Sequence, residues 1–106
     1  MGGGGAQLNQ MMKQAKKVQE QMEKMQAELE ERLIEAASGG GAVKAVVNGR
    51  QELKELEIKP EVVDPEDIDM LQDLVIAAVN EAIKQSQDMV SSEMAKITGG
   101  LNIPGL

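Results

Sequence analysis

The 106-residue chain contains no cysteine, no histidine and no aromatic residue. Without cysteine there is no disulfide framework and no thiolate metal site. Without histidine the chain lacks the side chain that titrates near neutrality and the commonest zinc ligand. Only Asp, Glu and Lys remain for acid–base chemistry. Without Phe, Tyr or Trp there is no platform on which single-stranded bases can stack. Leu, Ile, Val, Ala and eight Met must build the core, and the methionines make it adaptable. No apolar run reaches the ~18 residues of a membrane span. The opening MGGGGAQLNQ has neither the charged nor the apolar stretch of a secretory signal, so the cytoplasm is the expected compartment.

The net charge of −7 argues against a nucleic-acid partner, but it is unevenly spread. Residues 1–50 carry seven basic and six acidic side chains; residues 51–106 carry four and twelve. Within the first nineteen residues the charged side chains are Lys13, Lys16 and Lys17.

Gly2 to Gly5 read as a flexible lead. From Leu8 onward Leu8, Met11, Ala15, Val18, Met22, Met25 and Leu29 follow a heptad rhythm that stops at Arg32, predicting a helix over 7–31. A short strand is expected over 32–38, with Ser38–Gly41 as a turn. AVKAVVN (42–48) is the clearest strand. Val43 and Val47 point to one face and Val46 to the other, as in a central strand covered on both sides. Asn48-Gly49 signals a hairpin, and QELKELEIK (51–59) returns from it, with Leu56 and Ile58 on one face. Asp64 reads as a helix N-cap with Pro65 at the first helical position. Ile68, Leu71, Val75, Ala78, Val79, Ala82 and Ile83 form its apolar face, and Gly99-Gly100 reads as its end.

The expected architecture is α+β, a two-layer α-β-β-β-α unit with a three-stranded antiparallel sheet and two long helices. The division is a lead at 1–6, one domain at 7–98 and a tail at 99–106. A seven-residue strand spans only ~23 Å. The longer helices overhang such a sheet with uncovered apolar stripes, which a second copy would cover. A homodimer is therefore expected, with Met11, Val18, Met22, Met25 and Leu29 as its interface.

The lysines supply the candidate site. At ~100° per residue, Lys13, Lys17 and Lys24 lie within about 40° of one another around the first helix, with Lys16 some 60° to one side. The Met/Val seam occupies the opposite face. Such a row can track phosphates. Ordinary solvated lysines on an amphipathic helix fit the spacing as well. Lys44 and Arg50 are weaker candidates.

The segments LNQMMKQAKKVQEQMEKMQAELEE, SGGGAVKAVVNGRQELKELEI, KPEVVDPEDIDMLQDLVIAAVNEAIKQSQ and TGGLNIPGL occur in that order. Together they resemble the YbaB/EbfC family of bacterial nucleoid-associated proteins, over nearly the whole chain. The resemblance implies a homodimer with protruding helices that binds double-stranded DNA with low sequence specificity. It also implies roles in nucleoid organisation and gene expression. DNA-contacting lysines would then be Lys13, Lys16, Lys17 and Lys24. No cofactor, metal, membrane or small-molecule substrate is expected.

Two other classes compete. A helical adaptor or holdase-like protein would present the apolar seam to client chains. An enzyme would need a carboxylate pair such as Glu55 and Glu57, two apart on an exposed strand face, and is the weakest reading. A calcium loop starting at Asp64 fails, because its sixth and twelfth positions are Asp69 and Val75 rather than Gly and Glu.

Overall fold

The computed structural model describes the backbone of residues 3–101 and the side chains of residues 7–96. The chain runs as helix α1 (Gly3–Glu31), strands β1 (Ile34–Ser38), β2 (Val43–Val47) and β3 (Leu53–Ile58), and helix α2 (Ile68–Leu101). Short 3-10 turns at Gly39–Gly41 and Pro60–Val62 follow β1 and β3. The strands form an antiparallel sheet in the order β1-β2-β3. The α+β class and the α-β-β-β-α order are those expected from the sequence.

The core follows from the alternation along β2. Val43, Ala45 and Val47 are fully buried on one face, joined by Ala36 of β1 and by Ala78 and Ala82 of α2. Ala78, Ala82 and Ser86 recur every four residues, so they share one face of α2, and all three are fully buried. With nothing larger than a hydroxymethyl along this stripe, the helix backbone can lie close to β1 and β2. Leu74, Val75, Val79 and Ile83 flank it. Val46 is buried on the opposite face, so β2 buries apolar side chains on both faces, as its pattern predicts. Glu35 and Glu55 sit across from Val46 on the neighbouring strands.

Several boundaries differ from the sequence expectation. The second helix starts at Ile68, not Pro65: Asp67 accepts a hydrogen bond from the Met70 amide (3.2 Å) and is the N-cap. Asp64 instead starts a turn, its Oδ1 accepting from Glu66 N and its carbonyl from Asp67 N, both 2.9 Å. Pro65 occupies the turn position that its fixed φ suits. The Asn48-Gly49 hairpin is also longer than a two-residue turn. Gln51 N donates to Asn48 O and Asn48 N to Glu52 O, both at 3.1 Å, leaving a three-residue loop with Gln51 left-handed at φ +61°. A bulge follows, because Val46 pairs with Glu55 but Val47 with Leu53. Finally, the boundaries expected at residues 7 and 99 are not helix ends, since α1 begins at Gly3 and α2 continues through Gly99 and Gly100 to Leu101. The rest of the expected lead, residues 1–2, and of the tail, residues 102–106, lie outside the described residues.

The molecule is elongated. Its extents are 83 × 25 × 15 Å and its radius of gyration is 21.8 Å, against about 13 Å for a compact domain of this length. At ~1.5 Å per residue, α1 is about 43 Å long and α2 about 51 Å. The long dimension exceeds either helix, so α1 extends the particle beyond the span of α2. Along most of its length α1 packs on no other described element.

Candidate nucleic-acid interface

Helix α1 carries its lysines into solvent. Lys13, Lys16, Lys17 and Lys24 are all exposed, and none forms an ion pair with a described residue. From Lys13 to Lys24 the row is about 16 Å long. The charge needed to meet a phosphate is therefore not already neutralised. Lys54, Lys59 and Lys84 also form no ion pair among the described residues, but they stand singly in the acid-rich half of the chain.

The other basic residues near the sheet are engaged. Lys44 Nζ lies between Glu35 (3.4 Å) and Glu57 (3.6 Å) on the open face of the sheet. The hydrogen bond that Lys44 donates to Glu35, then the Glu35 charge, raises the Lys44 pKa above the ordinary value. Arg50 Nη2 and Nε donate to one oxygen of Glu30, at 2.9 and 3.3 Å, and this contact raises its pKa likewise. Arg50 and Lys44 are thus tied down by carboxylates, which weakens both as phosphate ligands.

The opposite face of α1 holds the seam. Leu29 is fully buried, Val18 and Met25 are half-buried, and Met22 and Met11 are 38% and 66% exposed. Only the last seam residue finds full cover within the chain. The structure brings Leu29 to the β2–β3 loop and to Val90 and Met94 of α2, around a groove of about 230 Å³.

That meeting point contains residues that sequence reasoning passed over. Asn48, 2% exposed, accepts with Oδ1 from Arg50 N (2.9 Å) and Glu52 N (3.0 Å), and its Nδ2 donates to Glu52 Oε1 (2.8 Å). The Asn48 bond, ahead of the nearby charge of Lys54, lowers the Glu52 pKa. Buried Ser86 donates to Asn48 O at 2.7 Å, tying the loop to α2. Asn48-Gly49 marks a turn in the sequence, but nothing local points to Ser86 or Glu30, which lie 38 and 20 residues from their loop partners.

The lysine-bearing helix thus projects from a small α+β body. The pattern of the YbaB/EbfC DNA-binding family matches residues 3–101. The chain belongs to the YbaB/EbfC family. A nucleoid-associated protein of Alkaliphilus metalliredigens is 60% identical over 104 residues, 98% of this chain and 91% of the relative. A nucleoid-associated protein of Thermoanaerobacter pseudethanolicus is 58% identical over 103 residues, 97% of this chain and 93% of the relative. Among solved structures, an uncharacterised protein of Helicobacter pylori superposes with a TM-score of 0.70 at 20% identity, covering 85% of this chain and 95% of that one. This likeness supports the fold of the YbaB/EbfC member described here. The family is a DNA-binding one. No helix among the described residues is long and apolar enough to cross a membrane.

Proposed function

We propose that this protein binds double-stranded DNA through the lysine row of α1, as a homodimer on the nucleoid in the cytoplasm. The observation that carries the reading is the row itself: four exposed lysines without carboxylate partners among the described residues, on a helix that stands clear of an acidic body. Family membership supplies the nucleic-acid partner. Acids more than a Debye length, ~8–10 Å, from the DNA count for little. Binding is thereby confined to the arms. Lysine on phosphate carries no base information, so sequence preference is slight, and binding organises the nucleoid and influences expression broadly. The protein needs no metal or cofactor and turns over no substrate.

The homodimer is supported by the seam. Met11 and Met22 lie exposed in a single chain, and a second copy would remove them from water. The same exposure favours the second reading, an adaptor or holdase whose seam takes apolar clients. Salt separates the two, because lysine–phosphate attraction weakens steeply with ionic strength and apolar packing does not.

The test is duplex binding by gel shift at two or more salt concentrations. Lys13→Ala with Lys17→Ala is expected to weaken binding to unrelated duplexes alike, lowering the log–log salt slope by roughly 0.9 for each phosphate no longer neutralised. Lys84→Ala with Lys96→Ala on α2 is expected to do much less. A larger effect from the α2 pair would move the site off α1.

A further inference from the structure

The end of α1 meets the body backbone against backbone. A Cβ on Gly49 would stand 1.9 Å from the carbonyl oxygen of Leu29 and 2.7 Å from its carbonyl carbon. Gly49 N donates to Glu30 O at 3.2 Å. No flexible side chain intervenes at this contact, so loop and helix end cannot slide without breaking it. The Arg50–Glu30 pair closes over it from the next loop residue.

The loop is itself immobilised. Asn48 has Arg50 N and Glu52 N on its side-chain oxygen, and Gln51 Nε2 donates to Gly49 O at 2.9 Å. Both Asn48 O and Gln51 Nε2 engage the buried Ser86 hydroxyl, at 2.7 and 3.3 Å. A second tether, Arg32 Nη1 to Glu93 at 3.6 Å, joins the chain just after α1 to α2.

We propose that the β2–β3 loop is a rigid joint that sets the direction of α1, with Gly49, Arg50 and Ser86 as positioning residues for the lysine row. This rests on the DNA reading above. The rest of α1 makes no extensive contact with another described element, so within one chain its angle is set where its C-terminal end meets the loop and α2. The leverage is large: Lys13 is about 24 Å from Leu29, and a swing of roughly 10° displaces it by about 4 Å. Duplex DNA presents one charge per ~1.7 Å of axis, so such a displacement changes which phosphates the row meets. Arg50 therefore serves binding through Glu30 and the direction of the arm, not through DNA.

The test measures the arm directly. The chain has no native cysteine, so Gln10→Cys on α1 and Gln87→Cys on α2, both exposed, give two unique spin-label sites. The doubly labelled chain is refolded with a large excess of unlabelled chain, and the distance distribution is read by pulsed electron paramagnetic resonance. The parent chain is expected to give one narrow distribution. Arg50→Ala should broaden it while circular dichroism stays unchanged, and Gly49→Ala should broaden it further or shift it. The swapped pair Glu30→Arg with Arg50→Glu should narrow it again, which a general decrease in stability would not do. Arg50→Ala should also reduce duplex affinity several-fold at an unchanged salt slope, since every lysine remains. Lys13→Ala with Lys17→Ala should show the converse: a lower slope and an unchanged distance.

An Arg50→Ala distribution as narrow as the parent's, with the swap no different, overturns the joint, whether or not Gly49→Ala folds. Broadening with full duplex affinity overturns the positioning role. A parent chain that binds no duplex overturns the functional reading and the positioning role with it, while the distances still decide whether the loop directs α1.

Discussion

At the scale of single residues, what distinguishes one cation from another is its carboxylate neighbours. Lys44 and Arg50 have them at 2.9–3.6 Å, and the four lysines of α1 have none among the described residues. The same local bonding makes stability depend on pH. The Asn48 side-chain amide holds the Glu52 carboxyl below its ordinary pKa. Its contribution is therefore present above the unfolded value of about 4.3 and disappears as pH falls through the lower folded value. Glu52→Gln keeps an oxygen for Asn48 but removes the charge. Thermal melts between about pH 5 and pH 3 should show a smaller drop in midpoint for this variant than for the parent, because one fewer carboxylate gains a proton on unfolding. An identical acid slope would show that Glu52 is not coupled to folding. Lys44 behaves with the opposite sign: raised by Glu35, its contribution is present below the ordinary lysine pKa and disappears as pH rises through the folded value.

At the scale of elements, apolar spacing was a sufficient guide to the type of each main element. The 3–4 rhythm from Leu8 to Leu29 marks α1, and the short valine-rich run marks β2, which is central in the sheet. The failures fall where two local signals compete or where the partner is distant. Asp64 and Asp67 both offer a cap, and Pro65 settles the matter by favouring a turn between them. Gly49 reads as a turn glycine, yet what forbids a side chain there is Leu29 of another element. In the candidate site the lysine row was legible from spacing, since a solvated face needs no partner to be recognised. The residues that aim it were not, because Glu30, Asn48 and Ser86 acquire their roles only when three elements converge. The stripe of Ala78, Ala82 and Ser86 has a measurable consequence. Ala82→Leu forces bulk between α2 and β2 and should cost about 1–3 kcal/mol, seen as a lower denaturation midpoint in urea. An unchanged midpoint would mean that the helix–sheet packing is looser than its full burial implies.

At the scale of the whole molecule, the seam on α1 governs assembly under the dimeric reading proposed above. Met22→Glu or Met25→Glu places a charge on the face that a second copy would bury, and a charge taken from water without a partner is strongly unfavourable. Sedimentation equilibrium at micromolar concentration should give twice the chain mass for the parent and a lower mass, or an unfolded chain, for the variants. A folded parent monomer in that range would remove the dimer. Full-mass, fully stable variants would place the interface on another surface.

The 83 Å length bears on how any of these masses is obtained. Hydrodynamic drag follows the outline of a particle rather than its content, and a thin projecting helix sweeps out far more solvent than its few side chains displace. A column calibrated with compact proteins will therefore elute even the single chain early, at the position of a heavier globule. Elution volume alone would report a dimer whether or not one forms; light scattering at the peak would not.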